Sequence, residues 1–133
     1  MRLYFENPVG RLLEHPNGYA VVQYNDGPRD FATLRAFLTH TRHLLRRHNW
    51  HRMLADQRHM VPFNVEERDW IGTQWLARSA TDGYELFGAI LLPGDVFAAH
   101  PDLVSDSVRW QEGMRYRLFE QEAAAASWLL EQP

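Results

Sequence analysis

Seven apolar residues in succession, Leu86-Phe87-Gly88-Ala89-Ile90-Leu91-Leu92, are cut off by Pro93-Gly94. A run of this length without alternation reads as a strand covered on both faces, and the sharp stop marks its end. A second short apolar core, Arg52 to Ala55, lies inside Trp50-His51-Arg52-Met53-Leu54-Ala55-Asp56-Gln57-Arg58-His59-Met60 and is bracketed by charge. It reads as a buried central strand whose C-terminal end delivers Asp56 and Arg58 into a loop. Two buried strands need cover, so the intervening segments must supply helices.

Those segments carry the signals. Phe31, Leu34, Phe37, Leu38, Leu44 and Leu45 recur at helical spacing from about Arg29 to His48, with Pro28 suited to the first turn and Asn49 as the stop. Asn64 followed by Glu67 has the side-chain logic of a capping box, and Glu66, Glu67 and Asp69 put negative charge on a first turn, predicting a helix to about Ala80 ended by Asp82-Gly83. Trp70 and Trp75 are five apart on it, so one faces the sheet while the other stands partly outside. Before these, Leu3 to Phe5, Gly10 to Leu13 and Tyr19 to Tyr24 are extended. The second and third are joined by Pro16-Asn17-Gly18 as a hairpin, and Gly27-Pro28 ends the third.

Beyond the apolar run, Asp95 is expected to cap a short helix from Val96 to Ala99. A helical piece is expected from Leu103 to Gln111, an edge strand from Arg115 to Phe119, and a closing helix from Glu120 to Glu131. Strand–helix–strand order predicts that Arg52–Ala55 and Leu86–Leu92 are neighbouring parallel strands. The expected class is α/β: one domain over residues 1–133, a mixed sheet with a parallel centre and an N-terminal hairpin, and helices packed on it.

Composition narrows the chemistry. All fourteen basic residues are arginine and there is no cysteine, so disulfides, thiol catalysis, Schiff bases and a phosphate-loop lysine are excluded. The net charge of −3 hides an asymmetry: nine Arg against five acids in residues 1–60, five Arg against twelve acids in 61–133. The N-terminal residues show neither a signal peptide nor a membrane span, which predicts a cytoplasmic protein.

Several groups could carry function. Asp56 and Arg58 sit at the carboxyl end of a central strand, where open α/β sheets bind ligands; they can equally pair with each other to fix the loop. His40 and His43, with His48, His51 and His59, raise a metal site, but no carboxylate lies at ligand spacing and a solvated helix face accounts for the first two, so no metal or cofactor is expected. Arg42, Arg46, Arg47 and Arg52 form a basic cluster, yet the negative charge and the core-like spacing of the aromatics argue against nucleic acid. The candidate ligand or partner surface is Asp56, Arg58, His59, Asn64, Trp70 and Trp75. There is no nucleophile elbow, Gly-rich phosphate loop or catalytic triad.

The order Met53-Leu54-Ala55-Asp56-Gln57-Arg58-His59-Met60, Glu67-Arg68-Asp69-Trp70-Ile71, Gln74-Trp75-Leu76, Leu92-Pro93-Gly94-Asp95-Val96-Phe97, and Phe119-Glu120 leading to Ala126-Ser127-Trp128-Leu129 resembles the SpoIIAA-like group of small bacterial proteins, related in fold to STAS domains. The resemblance implies a binding or regulatory role. The phosphorylatable Ser of anti-sigma factor antagonists has no counterpart, because no Ser or Thr lies between Arg52 and Ile71. Two expectations follow: a non-catalytic domain that docks a protein partner or itself, as a homodimer through an aromatic patch, or a carrier or sensor for an apolar, lipid-like molecule held between sheet and helices.

Overall fold

The computed structural model describes residues 1–103 and 107–133. Its framework is one seven-stranded sheet in the order β1 (Arg2–Asn7), β2 (Gly10–His15), β3 (Tyr19–Tyr24), β4 (Arg52–Asp56), β5 (Leu86–Leu91), β7 (Met114–Phe119) and β6 (Arg109–Gln111). β1, β2 and β3 pair antiparallel; β3–β4, β4–β5 and β5–β7 are parallel; β6 returns antiparallel to β7. The predicted mixed α/β sheet is therefore present, and β4 and β5 are parallel neighbours, with Leu54 beside Ala89.

Side-chain alternation divides the central strands between two cores. Ala20, Val22, Met53, Ala55 and Leu86 point into the core shared with α1 (Phe31–His48), where Leu34, Phe37, Leu38, Leu44 and Leu45 are buried. Val21, Leu54, Phe87, Ala89 and Leu91 point to the other face, where Ala125, Trp128 and Leu129 of α5 (Glu122–Leu130) cover them. β5 is thus buried on both sides, as its unbroken apolar run requires.

Local signals set most boundaries. Asp30 caps α1, accepting from the Thr33 amide at 3.0 Å, so the helix opens at Phe31 and Pro28 stands outside its first turn rather than in it. Asn49 ends it in the left-handed region at φ 54°. The Pro16-Asn17-Gly18 turn closes with the Gly18 amide on the His15 carbonyl at 3.0 Å, Gly18 taking φ 85°.

Four expectations need correction. The helix after Asn64 is not α-helical throughout: α2 (Val65–Trp70) passes into a π-helical segment, Ile71–Leu76, and then into α3 (Ala77–Thr81). Asp95 is not a cap; α4 (Gly94–Ala99) has Pro93 at that position with no side-chain cap bond, and Asp95 lies in the first turn. The helical piece expected over Leu103 to Gln111 is a 3-10 turn, Pro101–Leu103, at its start and the strand β6 at its end, with residues 104–106 outside the described set. Because β6 pairs with it, β7 is an inner strand, and the edge belongs to β6.

Candidate functional site

Between the sheet and the α1–α2 layer lies a cavity of about 220 Å³. Its floor is the α1-side face of the strands: Val22 and Tyr24 from β3, Met53 and Ala55 from β4, Ile90 from β5, Met114 and Tyr116 from β7. Leu38 and Thr41 of α1 form one wall, and Ile71, Trp75 and Leu76 of the π segment form another. Phe63, Gln57 and Arg68 complete the end at the carboxyl edge of the parallel strands, while Gln111 borders the side next to β6. The surface is chiefly apolar and aromatic with a few polar groups, the usual make-up of a small-molecule site.

The π segment gives this wall its shape. The Ala77 amide donates to the Gly72 carbonyl, five residues back, where an α-helix would use the residue four back. The wider turn advances each residue by less than the about 100° of an α-helix, so Ile71, Trp75 and Leu76 stay on one side. Side chains take up carbonyl bonding that an α ladder would supply: the Trp75 carbonyl accepts from Arg42 Nη2 and from Ser79 Oγ. In return the Trp75 indole Nε1 donates to the Leu38 carbonyl at 2.6 Å, and the Arg42 guanidinium lies over the indole, 5.6 Å from the ring centroid. The segment is clamped to α1 from both sides.

A buried ion pair fixes the loop at the cavity end. Arg29 donates from Nε to Glu67 Oε2 at 3.0 Å and from Nη2 to Oε1 at 2.8 Å, both side chains being 5% exposed. The same guanidinium donates to the Val61 and Pro62 carbonyls and lies over the Phe63 ring. Glu67 also closes the predicted capping box, accepting from the Asn64 amide while Asn64 Oδ1 accepts from the Glu67 amide. The Arg29 guanidinium holds the Glu67 carboxyl below the usual carboxylate range against the opposing effect of burial.

The expected site residues do not come together. Asp56 follows Leu54 in the alternation, so it faces the α5 side, and Gln57 rather than Asp56 reaches the cavity. Asp56 is buried and accepts from the Arg58 amide at 3.2 Å, from Arg58 Nε at 2.9 Å and from Nη2 at 2.8 Å. Burial pushes its carboxyl up, but the Arg58 guanidinium and amide outweigh this and hold it below its ordinary value. Asn64 is occupied as the cap of α2, His59 is exposed, and Trp70 is half-buried against Phe31 with ring centroids 6.4 Å apart. Of the six, Trp75 alone lines the cavity.

Asp56→Ala and Arg58→Ala are each expected to cost about 1–3 kcal/mol, since either leaves a buried or half-buried charge without its bidentate partner. The double variant should cost less than the sum, because the pair is one unit. Chemical denaturation of the three proteins checks this, and unchanged midpoints would mean that the pair does not hold the loop.

Sequence reasoning missed Gln57, Phe63, Arg68, Tyr24 and Gln111. Alternation would have separated Gln57 from Asp56, but which face carried the opening was not written in the strand. The basic cluster dissolves: Arg42 binds the π segment, Arg46 donates to Asp82 at 2.9 Å and lies over Tyr84, and Arg47 is exposed. His40 stacks on Phe5 at 3.9 Å, and no metal-holding group of His, Asp or Glu occurs among the described residues. None of the helices described is long and apolar enough to cross a membrane. Comparison with protein-family models, with curated proteins and with solved structures finds no match to this chain.

Proposed function

We propose that this domain is a non-catalytic carrier or sensor that holds a small, largely apolar molecule between its sheet and the α1–α2 layer. The single observation that carries the reading is the 220 Å³ cavity walled by a π segment clamped in place. π turns recur at functional sites because an unfavourable backbone persists only where the surroundings hold it. In proportion to a 150 Å³ apolar cavity that takes benzene, this one accommodates roughly nine non-hydrogen atoms. Among the described residues both buried carboxylates, Asp56 and Glu67, are committed to arginines, which supports binding over acid–base chemistry.

1-Octanol and indole match that size. Each is expected to bind at a one-to-one ratio and to raise the melting temperature, and Ala55→Phe, which fills the floor, is expected to abolish binding while the protein stays folded. Absence of binding by both probes to the parent protein would sink the carrier reading.

A docking role, with the SpoIIAA-like and STAS-like resemblance behind it, is a second reading that one observation favours. Trp110 is 63% exposed on the edge strand β6, under the Arg115 guanidinium at 4.3 Å. An exposed Trp on an open strand edge suits a protein partner or a second copy. Native mass spectrometry separates the two readings: a retained small mass supports the carrier, a doubled mass lost in Trp110→Ala supports self-docking.

A further inference from the structure

We infer that the molecule held in the cavity is a small monocarboxylic acid, its apolar body against the sheet and its carboxylate at the strand-end mouth beside Arg68. This rests on the cavity being a ligand site and adds the chemistry of the head group.

The polar groups of the cavity gather unevenly. Because Gln23 is level with Asp56, Tyr24, the last residue of β3, stands beside Gln57, the first residue past the end of β4. Phe63 meets the Tyr24 ring edge-on at 5.7 Å, and Arg68 Nη1 donates to the Phe63 carbonyl at 3.1 Å. Tyr24, Gln57 and Arg68 therefore share one end of the cavity. The rest of the lining, toward Leu76 and Met114, has Gln111, Tyr116 and Thr41 as its polar side chains and no charged one, the Thr41 hydroxyl being spent on the Phe37 carbonyl. A ligand entering here has a defined polarity, with its head at the strand ends.

What those groups offer is donors. Arg68 uses one nitrogen on Phe63 and has no carboxylate partner among the described residues; the Gln57 side chain makes no hydrogen bond to them. Tyr24 is only 6% exposed, and its hydroxyl likewise has no hydrogen-bond partner among them. The hydroxyl is not sealed from solvent, and with no partner in the protein it is open to an acceptor that enters the cavity. Burial and the nearby Glu67 also push the Tyr24 phenol above its usual range, with Arg29 opposing, so it remains a donor throughout neutral pH. The guanidinium only donates, while the neutral phenol and the Gln57 amide can each donate as well as accept, so the head group that satisfies all three together is an acceptor.

The sign of the charge follows from the neighbours. The positions three and four residues from Arg68 on the helix are Asn64, Val65, Ile71 and Gly72, so no carboxylate faces it there, and Glu67 is taken by Arg29. Asp69 and Glu112 are exposed and neither pairs with Arg68. A carboxylate meets the open side of the Arg68 guanidinium with paired N–H bonds, which an alcohol or amide cannot do. A phosphate monoester would bring a second negative charge to a mouth with one uncommitted arginine, so a single carboxylate fits better.

The test compares octanoate with 1-octanol, equal in chain length and differing at the head, by calorimetric titration at pH 7. Octanoate is expected to bind about tenfold more tightly than octanol, the scale of one partly exposed charge-assisted contact. Arg68→Gln should erase that preference while leaving octanol unchanged, and Arg47→Gln, an exposed arginine of α1, should leave both unchanged. Melting curves confirm that the variants are folded. Octanol binding as well as octanoate, or a preference that survives Arg68→Gln, would overturn the acid while leaving the apolar cavity standing as a site. Failure of both compounds to bind the parent protein would overturn the acid, and failure of indole as well would overturn the carrier reading with it.

Discussion

Arg29→Ala is expected to destabilise the protein by about 3–5 kcal/mol, the cost of leaving one partner of a buried ion pair uncompensated. For a chain of this size that is a fall of roughly 10–20 °C in melting temperature. The guanidinium does three jobs at once: it pairs with Glu67 through two nitrogens, caps the Val61 and Pro62 carbonyls, and covers Phe63. Removing it strands the Glu67 carboxylate beneath α2 and frees the loop that closes the strand-end mouth of the cavity. Arg29→Met with Glu67→Leu should cost less than the two single changes added together, because no charge is then left buried alone, although the two loop carbonyls stay uncapped. Urea unfolding of the single and double variants measures the coupling. A cost for Arg29→Ala near zero would show that the loop is held by other contacts.

The same pairs set the acid limit of stability. In the folded chain Asp56 and Glu67 both have carboxyl groups held below the ordinary range, by Arg58 and Arg29 respectively. For such groups the unfolded chain binds protons first as the pH falls. The stabilisation is therefore complete above the unfolded carboxylate value, about pH 4, and is lost progressively below it, through the lowered native values. Melting temperature should be flat in this respect from pH 7 to about 5 and fall steeply beneath 4. In Arg58→Ala the steep portion should become shallower, since Asp56 then has less to lose. An equally steep acid limb in that variant would assign acid unfolding to other carboxylates.

Most of the strands, the Asn49 stop and the Asn64 cap were legible because their causes are local. Leu86 to Leu91 had to be covered on both faces, and Asn64 with Glu67 made the reciprocal cap that their spacing foretold. What escaped reading depends on distant partners. Arg109-Trp110-Gln111 is a strand only because β7 lies beside it, with Trp110 level with Arg115; its own residues show no alternation of burial. The π turn left no mark in the spacing of Trp70, Ile71, Trp75 and Leu76, which suits an α-helix as well. Its cause is Arg42, 33 residues earlier, reaching the Trp75 carbonyl. Asp56 and Arg58 were read at the right strand end, and one residue of alternation placed them on the wrong face for the cavity. The cavity itself is a shortfall of packing, and a sequence records which side chains are present but not whether they meet.

Trp75→Ala brings that shortfall under experimental control. The indole is 3% exposed, lines the cavity, donates to the Leu38 carbonyl and lies beneath the Arg42 guanidinium. Its removal is expected to cost about 3–5 kcal/mol, from lost apolar burial and a residual void. Trp75→Phe keeps most of the ring and loses the indole bond, so it should cost only about 1–2 kcal/mol. The ligand response should run the other way. The alanine variant gains volume on the wall that the π segment presents, so it should accept three-ring aromatic probes such as anthracene, which exceed the roughly nine non-hydrogen atoms that the parent holds. The phenylalanine variant should keep the parent's size limit. Saturating ligand stabilises only the state that binds it, so anthracene should recover part of the lost melting temperature in Trp75→Ala and leave the parent unchanged. If anthracene stabilises neither protein while denaturation confirms the loss from Trp75→Ala, the π segment has relaxed into the space, and the clamp of Arg42 on the Trp75 carbonyl depends on the indole beneath it.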